Sequence, residues 1–137
     1  MSRGMSNCNP GNIRRSRTRY KGEVRPSRDP EFKQFAALGW GYRAIFVLLH
    51  TYRVRHGLDT LAAMIARWAP PSENRTDAYI RFVAGRTGIG PDEPLDTLCA
   101  ATMLPLAAAI SRMENGVEAP QEALEEGWRL FRADFSG

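Results

Sequence analysis

Two carboxylates stand out by their surroundings. Glu114 lies near the end of the segment Leu104 to Gly116, in which Leu106, Ala109, Ile110 and Met113 recur at i, i+3, i+4 and i+7. That spacing predicts an amphipathic helix packed on a core. Pro105 fits its first turn, where a missing N–H is harmless, and Asn115-Gly116 supplies the left-handed residues that stop a helix. Glu114 therefore falls in the last turn, beside the buried stripe and at the negative end of the helix dipole. Both surroundings disfavour the anion, which is the environment of a general acid. The competing reading is an exposed carboxylate in a frayed last turn. Glu23 is the single acidic residue between Met1 and Arg28, among seven Arg and one Lys. Neighbouring cations keep it ionised, as a second carboxylate requires; the alternative is a surface ion pair with Arg25 or Arg19. Glycosidic bond cleavage uses such a pair. One group protonates the leaving oxygen, and the other activates water or stabilises an oxocarbenium ion. Glu73 is a third carboxylate, although Ser72 to Thr76 reads as a helix N-terminus.

Sugar binding needs flat apolar faces and amide groups. Trp68, Tyr79, Tyr20 and Trp40 offer the faces, and Asn74 and Asn12 could bond acetamido groups or hydroxyls. Aromatics beside helical stripes equally serve a core. Trp68 is set apart because Pro70-Pro71 holds it at a helix end facing a loop. Arg43, inside the first long helix, either orients a carboxylate or lies on a solvated face. Other catalytic classes lack their signatures: there is no Gly-x-Ser-x-Gly, P-loop or His-Glu-x-x-His. His50 and His56 flank a basic helix end and read as surface or C-cap residues rather than ligands. Cys8 and Cys99 are too few and too separated for a disulfide framework or zinc site, so two reduced thiols are expected. Neither metal nor cofactor is expected.

The elements that must position these groups are mostly helical. The first thirty residues, rich in Gly and Pro, predict loops and short strands, with Asn9-Pro-Gly-Asn12 as a turn and residues 1–8 as a flexible end. Phe32 and Phe35 anchor the core before a long helix from about Gly41 to His56, which buries Ala44, Ile45, Leu48, Leu49 and Tyr52. A second helix, capped by Asp59-Thr60, runs from Leu61 to about Trp68. A third starts at Asn74 or Thr76, packs Tyr79, Ile80 and Val83, and is ended by Gly85 and Gly88. Asp96 caps a short apolar helix leading into the Pro105 helix, and a last helix runs from Gln121 to about Phe131 with Leu124 and Trp128 buried. With 137 residues, 43% hydrophobic, the chain suffices for one domain of mostly α (α+β) class with a small N-terminal β-lobe.

Net charge is +4, concentrated at the N-terminal end, whereas the last twenty residues are acidic. A basic end favours an anionic partner such as nucleic acid, an anionic membrane surface or bacterial wall polymers. No apolar run approaches the roughly 20 residues that span a bilayer, and the N-terminus has no apolar signal region. Synthesis in a bacterial cytoplasm without ordinary secretion is the expectation.

The order of segments also resembles a known superfamily. Asn9-Pro-Gly-Asn-Ile-Arg14, Tyr20-Lys-Gly-Glu-Val24, Phe32-Lys-Gln-Phe35 and Gly39-Trp-Gly-Tyr-Arg-Ala44 follow one another as do the β-lobe segments of the lysozyme-like superfamily. The flagellar-type β-N-acetylglucosaminidases and lytic transglycosylases are the nearest in pattern. Arg67 to Tyr79 occupies the place of their cleft-lining Tyr-Ala-Thr-Asp-Pro-x-Tyr segment, with Trp68 where a Tyr is usual. Their catalytic Glu ends a helix before the Asn-rich segment; here the helix ending Met113-Glu-Asn-Gly116 resembles it but comes last, as in a circular permutation, with Asn115 replacing Ser. The chain is also similar to small phage and prophage proteins described as virion structural or lytic.

The resemblance implies a single-domain, monomeric glycosidase cutting β-1,4 bonds of peptidoglycan. Glu114 and Glu23 would be catalytic, Trp68, Tyr79, Asn74, Asn12, Tyr20 and Arg43 would bind substrate, and no membrane partner is implied. Such an enzyme acts on the wall after release or is carried in a virion. The rival is a non-enzymatic virion structural or nucleic-acid-binding protein using the basic arm from Arg3 to Arg28. Glu23 and the turn residues within the arm argue against it.

Overall fold

The computed structural model describes residues 1–136. Among the described residues, six helices and one two-stranded sheet make a mostly α fold: α1 (Arg3–Ser6), β1 (Glu23–Val24), β2 (Gln34–Phe35), α2 (Leu38–His56), α3 (Leu61–Trp68), α4 (Thr76–Thr87), α5 (Ala100–Asn115) and α6 (Gln121–Asp134). The strands are antiparallel, pairing Glu23 with Phe35 and Val24 with Gln34. An isolated bridge between Arg14 and Phe32 extends this small lobe.

The long helix α2 is central. Its first half is buried nearly all round, from Gly39 to Phe46, because α6, the N-terminal loop and the small sheet cover different faces. Two glycines set how closely these neighbours approach. A Cβ on Gly127 would lie 2.6 Å from the Tyr42 Cβ, so α6 can cross α2 only without a side chain there. A Cβ on Gly41 would lie 2.1 Å from the Cys8 carbonyl oxygen, which seats the N-terminal loop directly on α2. Tyr42, Ile45, Phe46, Leu49, Met64, Ile65, Val83, Met103, Leu106, Ile110 and Phe131 form the main core. Within it, the Tyr42 hydroxyl meets Ser111 Oγ of α5 at 2.8 Å, satisfying two buried polar groups at once.

Several expectations are corrected. Residues 1–8 are not a loose end: α1 is capped by Ser2, and Arg3 fixes it through Nε and Nη2 to the carboxylate of Asp29, at 2.6 and 2.8 Å. Asp29 also accepts from Asn7 Nδ2 and from the N–H groups of Glu31 and Phe32. Pro105 is the sixth residue of α5 rather than part of its first turn, and no separate helix precedes it. The helix tolerates it because Ala101, whose carbonyl loses a partner, is exposed to water. Asp96 caps only a turn, accepting from Leu98 N–H, and Cys99 is the N-cap of α5. Met113 faces solvent, since the last turn of α5 projects beyond the core. Phe32 is half-buried under the guanidinium groups of Arg3 and Arg14, whereas Phe35 is fully in the core. α4 runs through Gly85 and stops at Gly88, and α6 continues to Asp134. His50 is half-buried, with Nδ1 2.6 Å from Thr97 Oγ1 and its ring edge-on to Phe131 and Phe135. Burial and Arg53 together lower its pKa. Among the described residues, no helix is long and apolar enough to cross a membrane.

Candidate active site

Glu114 occupies the last turn of α5, and Gly116 ends that helix with a φ of 73°. Three segments remote in sequence meet at its carboxylate. Asn12 Nδ2 donates to Oε1 at 2.9 Å, and the Tyr79 hydroxyl donates to Oε2 at 2.9 Å. The first comes from the N-terminal turn and the second from α4, so neither bond forms unless the whole chain folds. Tyr79 is buried, and burial together with the Glu114 charge pushes its phenol well above the ordinary tyrosine value. It therefore acts as a fixed hydrogen-bond donor.

The turn carrying Asn12 is held by asparagines. Asn9, fully buried, donates from Nδ2 to the carbonyls of Ile13 and Lys33 and accepts the Ile13 N–H on Oδ1. Asn115 Nδ2 donates to the Pro10 and Ser111 carbonyls, and its Oδ1 accepts from Ser2 Oγ at 2.8 Å. The residue after Glu114 thus locks the turn onto the helix end. Asn12 itself lies in the left-handed region at φ 49°, which Asn accepts better than most residues and which aims its amide at Glu114. Its Oδ1 is buried with no donor.

Glu114 and Asn12 open onto a cleft of about 370 Å³ lined also by Trp68, Asn74, Glu73 and Arg14. The Trp68 indole packs against Gly11 and lies edge-on to Tyr52. Asn74 is exposed at the rim, with Nδ2 donating to the Pro70 carbonyl. Glu73 lines the same cleft, half exposed, with a carboxylate oxygen 3.6 Å from Arg14 Nη2. Of the substrate-binding residues expected from sequence, Trp68, Asn74, Asn12 and Tyr79 are brought to Glu114. Tyr79 reaches it from beneath rather than as a stacking face.

Glu23 is not brought there, which corrects its assignment. Its side chain is 5% exposed, with Oε1 accepting from Tyr20 N–H and Lys33 Nζ, and Oε2 from Arg25 Nε. Burial raises its pKa, but these three donors outweigh it and hold the carboxyl below the ordinary value. It braces the β-lobe. Lys33, 1% exposed, has no apolar stripe around it in the sequence and gave no sign of being buried. Tyr20 and Arg43 are likewise separate from the Glu114 cleft: they line a second hollow, where Arg43 Nη2 donates to Asp134 at 2.9 Å. Trp40 packs against Gly22 in the β-lobe. Sequence reasoning passed over Asn9, Asn115 and Asp29, whose signal was only that of polar residues in a turn and at a helix stop.

Among the described residues, no group of three or more His, Cys, Asp or Glu side chains is placed to hold a metal ion. No protein-family model matches the chain. One curated relative does: Protein P5 of Pseudoalteromonas phage PM2 is 39% identical over 118 residues, covering 84% of this chain and 72% of the relative. At that identity and coverage, the chain belongs to the family of Protein P5 of phage PM2.

Proposed function

We propose that this chain is a phage-encoded enzyme that cleaves β-1,4 bonds of bacterial peptidoglycan, on a permuted arrangement of the lysozyme-like kind. The observation that carries the reading is the convergence of Asn12 and Tyr79 on Glu114 at the edge of an open cleft. In this mechanism Glu114 enters as the carboxylic acid and protonates the leaving glycosidic oxygen; its two accepted hydrogen bonds fix the carboxyl and stabilise the carboxylate that the transfer leaves. Glu73 takes the role first given to Glu23. It lines the same cleft, with a carboxylate oxygen 3.6 Å from Arg14 Nη2, and is the carboxylate placed to activate water or to stabilise the oxocarbenium ion. Trp68 supplies a stacking face for a sugar ring, and Asn74 a rim amide.

Kinship with a phage protein suits an enzyme carried in, or released with, a phage. It suits a non-enzymatic virion part better, and that is the second reading; the exposed run from Arg14 to Arg19 favours an anionic partner for it. Incubation with purified peptidoglycan separates the two. Release of soluble glycan fragments supports the enzyme, and fragment mass tells hydrolysis, which leaves a reducing end, from transglycosylation, which closes an anhydro ring. No release from walls of several species, with intact binding to DNA that weakens with salt, supports the second reading.

A further inference from the structure

Beside the Glu114 cleft lies a larger hollow, of about 690 Å³, whose lining includes Arg19, Lys21, Arg43, Arg55 and Arg67 and no Asp or Glu. The five cations come from three elements: the N-terminal arm, α2 and the last turn of α3. Only the fold joins α2 to the arm in one basic surface, because Arg43 and Arg55 lie more than three turns apart along the helix. Asp134, at the end of α6, neutralises part of this charge by pairing with Lys21 and Arg43. Arg19 and Arg55 have no carboxylate partner among the described residues. Arg43, 5% exposed, also keeps its Nε buried with no acceptor. A buried guanidinium half satisfied in this way is costly unless an anion completes it.

The hollow adjoins the cleft. Leu48, Tyr52 and Arg67 line both, and Arg67 lies over the Tyr52 ring on the ridge between them. A group attached to a sugar bound beside Trp68 therefore needs only to cross that ridge to reach the cations. Peptidoglycan carries such a group: acidic peptide stems on alternate sugars.

We propose that this basic hollow binds the carboxylates of the peptide stems, making the protein selective for stem-bearing glycan over bare glycan. The proposal rests on the wall-cleaving reading above for the identity of the sugar polymer. Its apolar floor, with Val47, Leu48 and Phe135, accommodates the carbon skeleton of the stem, while the rim cations Arg19 and Arg55 meet its charges.

The test measures binding apart from cleavage. Binding of Glu114→Gln protein is measured by sedimentation with insoluble purified peptidoglycan, and by fluorescence anisotropy with the soluble glycan strands that an amidase leaves when it removes the stems. Arg19→Gln/Arg55→Gln, added in that background, alters two exposed side chains and leaves the core intact. It should weaken binding to stem-bearing wall about five- to tenfold, and binding to stripped glycan not at all. Lys21→Gln should act in the same direction. Equal loss on both materials, or no loss on either, overturns the proposal. So does a short oligothymidylate that displaces the protein from the wall and loses affinity with the same variants, since the hollow would then be a nucleic-acid site. Stem-dependent binding by a wild type that cleaves nothing removes the enzyme reading and keeps this one. Cleavage of stem-bearing wall at the wild-type rate by Arg19→Gln/Arg55→Gln protein that keeps Glu114 does the reverse.

Discussion

Glu23→Gln should unfold the protein more easily rather than disable its chemistry. The substitution removes the charge facing Lys33 Nζ, in a pair whose side chains are 1% and 5% exposed. Breaking a buried ion pair by removing one partner costs about 3–5 kcal/mol, because the remaining charge is left without compensation. Here the loss falls at the low end. Gln keeps a carbonyl oxygen for Tyr20 N–H, and Lys33 still donates to the Thr18 carbonyl at 2.7 Å. A loss of about 3 kcal/mol, set against an unfolding entropy of roughly 0.3 kcal/mol/K for a chain of this length, lowers Tm by about 10 °C. Thermal unfolding followed by circular dichroism reads this directly, and clearing of peptidoglycan is then assayed well below the lowered Tm. Clearing at close to the wild-type rate is expected there. A Tm within about 2 °C of wild type, together with lost clearing, would refute the reasoning and return Glu23 to the catalytic machinery.

Three further outcomes follow from the same contacts. Tyr79→Phe removes one of the two bonds that hold Glu114. It should lower the clearing rate about tenfold while changing stability by only about 1 kcal/mol, and a rate equal to wild type would show that the phenol is mere packing. Gly41→Ala puts a methyl group onto the Cys8 carbonyl. It should cost about 2 kcal/mol or more and loosen the Asn9–Asn12 turn, which proteolysis of the N-terminal segment reports. Stability should also fall in acid. Arg3 holds Asp29 well below the ordinary carboxylate range, Lys21 and Arg43 hold Asp134 below it, and the donors around Glu23 outweigh its burial. Groups with depressed folded pKa values contribute stability that is present above their ordinary values near pH 4 and lost as pH falls through the folded ones. Burial lowers the pKa of Lys33 as well, which opposes the contribution of its partner. The urea midpoint should drop between pH 6 and pH 3, and less so in Asp29→Asn. A flat midpoint would contradict the ion-pair account.

The helices were legible because they are local. Period 3.6 apolar spacing located α2, α3 and α6 within a few residues, and Gly57, Gly88 and Gly116 marked three stops through left-handed φ values of 65–73°. Glu114 was legible for the same reason: it precedes one of those stops. What the sequence hid was contact at a distance. Nothing near Arg3 announces Asp29, so α1 read as a loose end. Pro105 read as a helix start because the exposure of Ala101, which makes a mid-helix proline tolerable, depends on which face of α5 meets the core. Glu23 and Glu73 were confused for a related reason. Both are carboxylates near Arg, and only the fold turns one inward to Lys33 and the other toward the cleft.

The central claim rests on Glu114, and its most direct test is the clearing of purified peptidoglycan by wild type and Glu114→Gln side by side, with both shown to be folded by circular dichroism. The account predicts clearing by wild type and at least a hundredfold loss in the variant with its Tm within a few degrees of wild type. Clearing by a folded Glu114→Gln protein at the wild-type rate, or none by wild type, would contradict it.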